Sequence, residues 1–229
     1  MRRMLSLPFL LAPVLAWSPT PDASVAQQIV DSIYNRINPV STLLTLDLKV
    51  DKGAFPTGSE VGLLYGDPKT CLANWLQTPT EYAKFGSRPV AITLAGQANQ
   101  VALVAQSARN AFKNISGKDA LAAAQQKLPA GHLQVYVQIA GLKEEFQRGA
   151  YNLGIMLSKD NFLRPYKIAY LEDWQKSSDK EPRWSGTMLY YFDLSKTTVD
   201  PTGKISLVLQ TEANSNCTYT ISTDLSQFY

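Results

Sequence analysis

The sequence is poor in side chains that carry metal or acid–base chemistry. His132 is the only histidine, and the two cysteines do not form a C-x-x-C motif. Most zinc sites depend on histidine or on several cysteines, and a serine or cysteine triad needs a histidine base. The position of His132, where a loop enters a predicted strand, favours a structural role. We therefore expect no metal site, no cofactor and no catalytic triad.

Two pairs of neighbouring carboxylates are the remaining candidates for acid–base catalysis. Asp47 and Asp51 share one face of a predicted strand and would lie about 13 Å apart at about 3.3 Å per residue. Paired glycosidase carboxylates require about 5 to 9.5 Å. Glu172 and Asp173 are adjacent in a predicted strand, so their side chains point to opposite faces. A partner carboxylate from a distant strand would be needed, which leaves a carboxylate-based hydrolase of an envelope polymer as the alternative function.

A polar loop between two tryptophans is the candidate binding segment. Trp174 and Trp184 flank this loop, which carries Lys180 and Arg183. If residues 166–173 and 185–193 form a hairpin, both indoles lie near the loop. Exposed tryptophans beside polar groups suit recognition of a protein or a glycan. The alternative is that the two indoles stack on each other and close the hairpin.

The stretch "RWSGTMLYYFDLSK", residues 183–196, has the alternation of a strand with one buried face. Met188, Tyr190 and Phe192 belong to the predicted core face, whereas Leu189 and Tyr191 point to the opposite side. Tyr191 therefore completes the set of candidate binding residues. An outward Leu and Tyr pair is also common on surfaces without any function.

The distribution of apolar residues predicts an α+β fold that is mostly β. Residues 131–229 contain about six segments of alternating character, enough for an antiparallel β-sandwich. Residues 25–130 are predicted to form a mixed α/β region with two or three short helices. Within it, residues 97–113 fit either a helix or half of a hairpin, and we favour the helix. The two regions are either separate or parts of one compact domain.

The N-terminus "MRRMLSLPFLLAPVLA" has two arginines, a short apolar run and small side chains at its end. This pattern predicts a signal peptide at residues 1–16, cleaved after Ala16, and a flexible linker at residues 17–24. The alternatives are an uncleaved anchor and a buried N-terminal segment. No later stretch is long and apolar enough to span a bilayer.

Predicted export bears on the state of the two cysteines. An even number of cysteines in an exported chain indicates a disulfide, here between Cys71 and Cys217. The alternative is a pair of buried free thiols. The oxidising compartment of an exported protein favours the disulfide.

The charge balance argues against nucleic acid as a partner. The net charge is +3, and without Arg2 and Arg3 there are 20 basic and 19 acidic residues. Such a balance gives no strong field toward phosphate backbones. We expect an exported, non-catalytic binding or structural component of the cell envelope, in the periplasm or at the cell surface, that contacts a protein or a glycan. The sequence leaves the oligomeric state open.

Overall fold

The computed structural model describes residues 19–55, 60–78 and 81–229. The predicted signal peptide, residues 1–16, lies outside these residues. The described chain forms two antiparallel sheets together with several helices, which confirms the prediction of a mostly β, sandwich-like α+β fold.

Both sheets are antiparallel throughout, and their strands are given in spatial order. The first sheet consists of β1 (Leu43–Asp47), β3 (Arg88–Ala95), β4 (His132–Leu142), β9 (Trp184–Asp193) and β7 (Lys167–Tyr170), and the short β8 (Gln175–Lys176) also pairs with β9. The second sheet consists of β2 (Glu60–Tyr65), β11 (Thr218–Asp224), β10 (Lys204–Gln210), β5 (Asn152–Ser158) and β6 (Asn161–Leu163).

The main core contains alternate side chains from strands of both sheets. Val135 of β4, Tyr190 of β9 and Leu207 of β10 are fully buried members of this core. Alternation with period two buries one face of each strand. Phe192 is fully buried and Tyr191 is half-buried, as the alternation of the stretch 183–196 predicted. The prediction that Leu189 is outward and exposed is wrong, because this residue is 5% exposed between Tyr136 of β4 and Ala169 of β7.

Three helices form a second, smaller core. They are α1 (Ala23–Ile33), α4 (Gln97–Asn110) and α5 (Gly117–Lys127). The ambiguous segment 97–113 is therefore helical over most of its length, as we favoured. Alanines such as Ala98, Ala105 and Ala120 dominate the contacts, and small side chains let the helices approach closely. Within the predicted linker 17–24, the Asp22 side chain caps α1 and the Pro19 carbonyl accepts a hydrogen bond from Gly131.

The N-terminal and C-terminal regions share both sheets. β1 and β3 extend the first sheet beyond β4, and β2 pairs with β11 in the second sheet. The strands contributed by residues 25–130 are therefore part of the sandwich itself. In the parts of the chain that the structure describes, no helix is long and apolar enough to cross a membrane.

The disulfide between Cys71 and Cys217 is present, which confirms the predicted pairing. Cys71 lies in α2 (Pro68–Gln77), and Cys217 directly precedes β11. The bond therefore fastens α2 to the second sheet. A further short helix, α3 (Tyr82–Phe85), follows before the chain enters β3.

Candidate binding site

The two tryptophans lie beside the same pair of strands. β7 pairs antiparallel with β9 and places Tyr170 opposite Met188, and β8 places Lys176 opposite Trp184. The loop between the tryptophans therefore lies at the N-terminal end of β9, as the expected hairpin requires. Arg183 closes the loop, since its backbone N–H donates to the Ser177 hydroxyl and its carbonyl accepts from the Ser177 N–H.

Trp174 is half-buried and packs directly on the backbone of β9. A Cβ atom added to Gly186 would lie 2.3 Å from Cδ2 of this indole, so the glycine makes room for the ring. Asp173, the residue before Trp174, holds the chain against β9. The Asp173 carboxylate accepts hydrogen bonds of 2.9 Å from the Thr187 N–H and 2.5 Å from the Thr187 hydroxyl.

Arg148 joins Trp174 to Tyr170. It lies in a 3₁₀-helix, Glu145–Ala150, in the connection between β4 and β5. Its guanidinium carbon lies 4.1 Å from the centroid of the Tyr170 ring and 5.0 Å from that of Trp174, within the range of cation–π attraction. Nη1 is paired with Oε1 of Glu145 at 2.5 Å. Two connections of the sandwich are thereby held together by one side chain.

Two large side chains near this arginine, one close in sequence and one in contact with its guanidinium, are exposed. The Phe146 side chain, on the same 3₁₀-helix, is 79% exposed, and Tyr170 is 45% exposed. We call Phe146, Arg148, Tyr170 and Trp174 the aromatic surface. Tyr170 is exposed beside a structure that the contacts of Trp174 with Arg148 and Gly186 hold in place.

Three of the remaining predicted binding residues lie in or beside the loop. Trp184 is half-buried against the main core, with Nζ of Lys176 5.8 Å from its ring. Lys180 is exposed in the loop. Nη2 of Arg183 pairs with Glu181 at 3.3 Å. Each indole therefore has a cation near its ring in the described part of the chain, and the two indoles do not stack on each other.

Tyr191 lies far from the tryptophans. It is seven residues further along β9 than Trp184, which corresponds to roughly 23 Å in a strand. Its ring lies 6.0 Å from that of Tyr166, and Nζ of Lys167 lies 4.9 Å from it. Tyr191 therefore belongs to a different surface from the loop 174–184.

His132 lies close to this second surface. Its Nδ1 is 2.8 Å from the Tyr166 hydroxyl, and its Nε2 is 3.7 Å from Asp193. The Ser195 hydroxyl donates to the same carboxylate at 2.5 Å, and this hydrogen bond holds the pKa of Asp193 below its usual range. A catalytic triad needs the histidine between serine and aspartate. Here the aspartate lies between serine and histidine, so the imidazole does not contact the serine hydroxyl.

Three cavities bear on the alternative function, because a carboxylate-based hydrolase needs acidic residues in a cavity wall. Three cavities, of about 260, 390 and 430 Å³, have no Asp or Glu among the described residues of their walls. The described residues also contain no cluster of His, Cys, Asp and Glu that could hold a metal ion. The alternative function, a carboxylate-based hydrolase, therefore gains no support from these cavities.

Sequence reasoning missed three of the four residues of the aromatic surface. Phe146 and Arg148 lie in the polar stretch "KEEFQRG", where a single large apolar side chain is the only local signal. Tyr170 resembled an ordinary strand residue. Their proximity depends on two connections that meet only in the folded chain.

Comparisons with known proteins do not add to this description. No protein-family model, no curated protein and no solved structure matches the chain. Its function is therefore inferred from its own residues and their geometry.

Proposed function

We propose that this protein is an exported, non-catalytic binding component of the cell envelope that holds a protein partner on its aromatic surface. The observation that carries the proposal is the position of Arg148 against Tyr170 and Trp174, on a 3₁₀-helix that also carries the exposed Phe146. Phe, Tyr, Trp and Arg are the residue types enriched in the energetically dominant centres of protein interfaces.

The chemistry of this surface favours a protein over a glycan. The Phe146 ring carries no hydrogen-bonding group, and most of it faces water. Burial of such a ring against apolar side chains gains about 25 cal/mol per Å². The charge of Arg148 is already paired with Glu145.

The surface is also ordered before a partner binds. Tyr170 lies at the end of β7, Trp174 is fixed on Gly186, and Arg148 contacts both rings. Side chains that are already ordered lose less conformational entropy on association. A fixed group of anchor residues is therefore suited to a specific partner.

The cysteines and the N-terminal sequence support the export part of the proposal. A disulfide persists in oxidising compartments, and Cys71 and Cys217 are bonded and buried. The basic and apolar N-terminal stretch has the character of a signal peptide. Periplasm and cell surface are the locations that both features favour.

Site-specific photo-crosslinking in the native cell tests the proposal. The photo-reactive analogue benzoylphenylalanine is placed at Phe146 in one variant and at Phe112 in a matched control. The Phe112 side chain is 100% exposed at the end of α4, away from the aromatic surface in sequence and fold. We expect a single discrete protein adduct from position 146 and none of that mass from position 112.

A second substitution establishes that the adduct depends on the surface. Tyr170→Ala combined with the reactive group at position 146 should strongly reduce the adduct, while the amount of folded exported protein is unchanged. Equal adducts from positions 146 and 112 would contradict the proposal. So would recovery of the protein in the cytoplasm with residues 1–16 still attached.

A further inference from the structure

Arg88 is a buried cation for which the described residues provide no carboxylate partner. It opens β3 and is only 3% exposed. Its Nη1 donates to the Ser87 carbonyl at 2.6 Å, and its Nε has no hydrogen-bond partner among the described residues. No described Asp or Glu carboxylate lies within 4.0 Å of this side chain. A buried charge is costly unless it is paired.

The groups that surround Arg88 are largely neutral. Its guanidinium carbon lies 6.0 Å from the centroid of the Tyr219 ring. Tyr151 is fully buried, and its hydroxyl lies 2.7 Å from that of Ser87. Burial raises the pKa of both Tyr151 and Tyr219, so neither phenol supplies a negative charge at neutral pH. The Glu212 carboxylate accepts from the Ser87 N–H at 2.8 Å rather than from Arg88.

Arg88 forms part of the wall of a cavity of about 260 Å³. The rest of the described wall is mainly apolar, with Leu48, Val50, Trp75 and Val90 among its members, and it also contains the exposed Lys49 and the uncharged polar residues Thr78 and Tyr82. The Thr78 hydroxyl is occupied, since it donates to the Asn74 carbonyl. An apolar cavity with a small number of polar or charged groups in its wall is the usual form of a small-ligand site.

We infer that this cavity binds a small carboxylate with an apolar body. The carboxylate would pair with the Arg88 guanidinium, and the hydrocarbon part would lie against Trp75, Val90 and their neighbours. A planar guanidinium matches a carboxylate geometrically, and the pair supplies the missing countercharge. Arg88 is the buried cation of the described wall and the exposed Lys49 adds a second positive charge, so the site suits an anion and disfavours a cation.

Helix α2 covers this cavity and is firmly held. Cys71 of α2 is bonded to Cys217, and the Tyr219 hydroxyl donates to the Cys71 carbonyl at 3.3 Å. One turn further on, Trp75 contacts the Tyr219 ring edge-on at a centroid distance of 4.7 Å and Phe55 at 5.6 Å. The apolar wall is therefore preformed, and Trp75 provides a fluorescent group inside it.

Three probes of similar shape test the charge and the shape of the site. Hexanoate, hexanamide and hexylammonium are titrated by calorimetry into the disulfide-bonded protein, and Trp fluorescence is recorded in parallel. We expect hexanoate to bind at least about tenfold more tightly than hexanamide, which corresponds to about 1.4 kcal/mol. Hexylammonium should not bind. Absence of saturable hexanoate binding, or equal binding of acid and amide, overturns the inference.

Two variants assign the preference to Arg88 and to the cavity. Arg88→Met keeps an unbranched apolar side chain without the charge and should abolish the preference for hexanoate over hexanamide. Val90→Phe fills the cavity, leaves Arg88 in place and should abolish binding of both. Arg36→Met, which alters an exposed arginine outside the cavity, should leave hexanoate binding unchanged. Binding that survives Val90→Phe in a folded protein contradicts the inference even if Arg88→Met does not fold.

Discussion

The guanidinium carbon of Arg148 lies 4.1 Å from the centroid of the Tyr170 ring, although one residue lies in a connection between strands and the other in a strand. Arg148 is in the 3₁₀-helix between β4 and β5, and Tyr170 ends β7. The same guanidinium also lies 5.0 Å from the Trp174 ring. This contact connects the predicted tryptophan loop with residues that no local pattern had associated with it. It is the reason why the proposed partner surface centres on Tyr170 and Phe146 rather than on the loop charges.

Reduction of the disulfide should destabilise the protein. The bond joins residues 146 apart in the sequence. Chain entropy sets its contribution at no more than about 5 kcal/mol. We expect urea melts with and without reductant to differ by about 2 to 5 kcal/mol. Free thiols in protein isolated from its native compartment, detected by alkylation after unfolding, would contradict an oxidised Cys71–Cys217 pair.

The two neighbouring rings of β9 should differ in their effect on stability. Phe192 is fully buried in the main core, whereas Tyr191 is half-buried on the opposite face. Phe192→Ala should lower the free energy of unfolding by about 3 to 5 kcal/mol because it leaves a cavity. Tyr191→Ala should cost clearly less. Equal losses in denaturant melts would mean that both faces of β9 are equally covered.

An alanine at position 186 should destabilise the contact between β9 and Trp174. Its Cβ would lie 2.3 Å from Cδ2 of the indole, so the ring must move. Overpacking of this kind costs about 1 to 3 kcal/mol. Gly149→Ala is the matched control, because a Cβ there meets no atom within 4 Å. In urea melts we expect the control to stay within about 0.5 kcal/mol of the native chain.

The cause of that loss can be isolated with a double variant. Trp174→Ala removes the ring that obstructs the new Cβ. The double variant Trp174→Ala/Gly186→Ala should therefore lose less stability than the sum of the two single variants. Additive losses would show that the cost at Gly186 does not arise from the indole.

Two buried tyrosines should weaken the fold in alkali. Burial raises the pKa of Tyr151 and Tyr190 above the usual tyrosine value. Unfolded tyrosines ionise near pH 10, whereas these two stay protonated in the folded chain, so the native state binds more protons and stability falls as pH rises above about 10.

A single substitution tests this pH dependence. Tyr151→Phe removes one titrating group, although it also leaves the Ser87 hydroxyl without its partner. The variant should be less stable at neutral pH, but its stability should fall less steeply above about pH 10. An unchanged slope in urea melts across that range would show that Tyr151 is not responsible.

Strands and helices could be predicted from the sequence wherever the spacing of apolar residues within one segment determined them. Alternation identified β4 and β9, and the side chains assigned to the core face lie in the main core, although Leu189 on the other face of β9 is buried as well. The helix at 97–113 was less certain because Gln97 and Gln100 interrupt its apolar face. Both are buried with polar partners, the Leu128 carbonyl for Gln97 and the Gln134 side chain for Gln100. Such partners come from distant segments and cannot be read from a periodicity.

The two candidate sites could not be predicted from a local pattern for the same reason, because each brings together residues from distant segments. In "SRPVAITL", Arg88 resembles an ordinary exposed residue at the start of a strand. Its burial follows from the position of α2 and β11, which the disulfide fastens together. The surface around Arg148 likewise exists only after β7 has paired with β9. Long-range packing, rather than propensity, creates both sites.

Loss of an aromatic anchor should weaken capture of the partner more than loss of a loop charge. Tyr170→Ala and Trp174→Ala remove rings that contact Arg148, and each should cost at least about 1 kcal/mol of binding free energy, because aromatic anchors dominate interfaces. Lys180→Ala removes an exposed charge and should change binding by less.

Binding is measured with the partner identified by crosslinking at Phe146, and circular dichroism establishes that each variant is folded. Trp184→Ala tests the other tryptophan that flanks the loop, whose ring is near Lys176 and not Arg148. If Tyr170→Ala and Trp174→Ala stay folded and bind normally while Trp184→Ala or Lys180→Ala does not, the partner contacts the loop and not the aromatic surface.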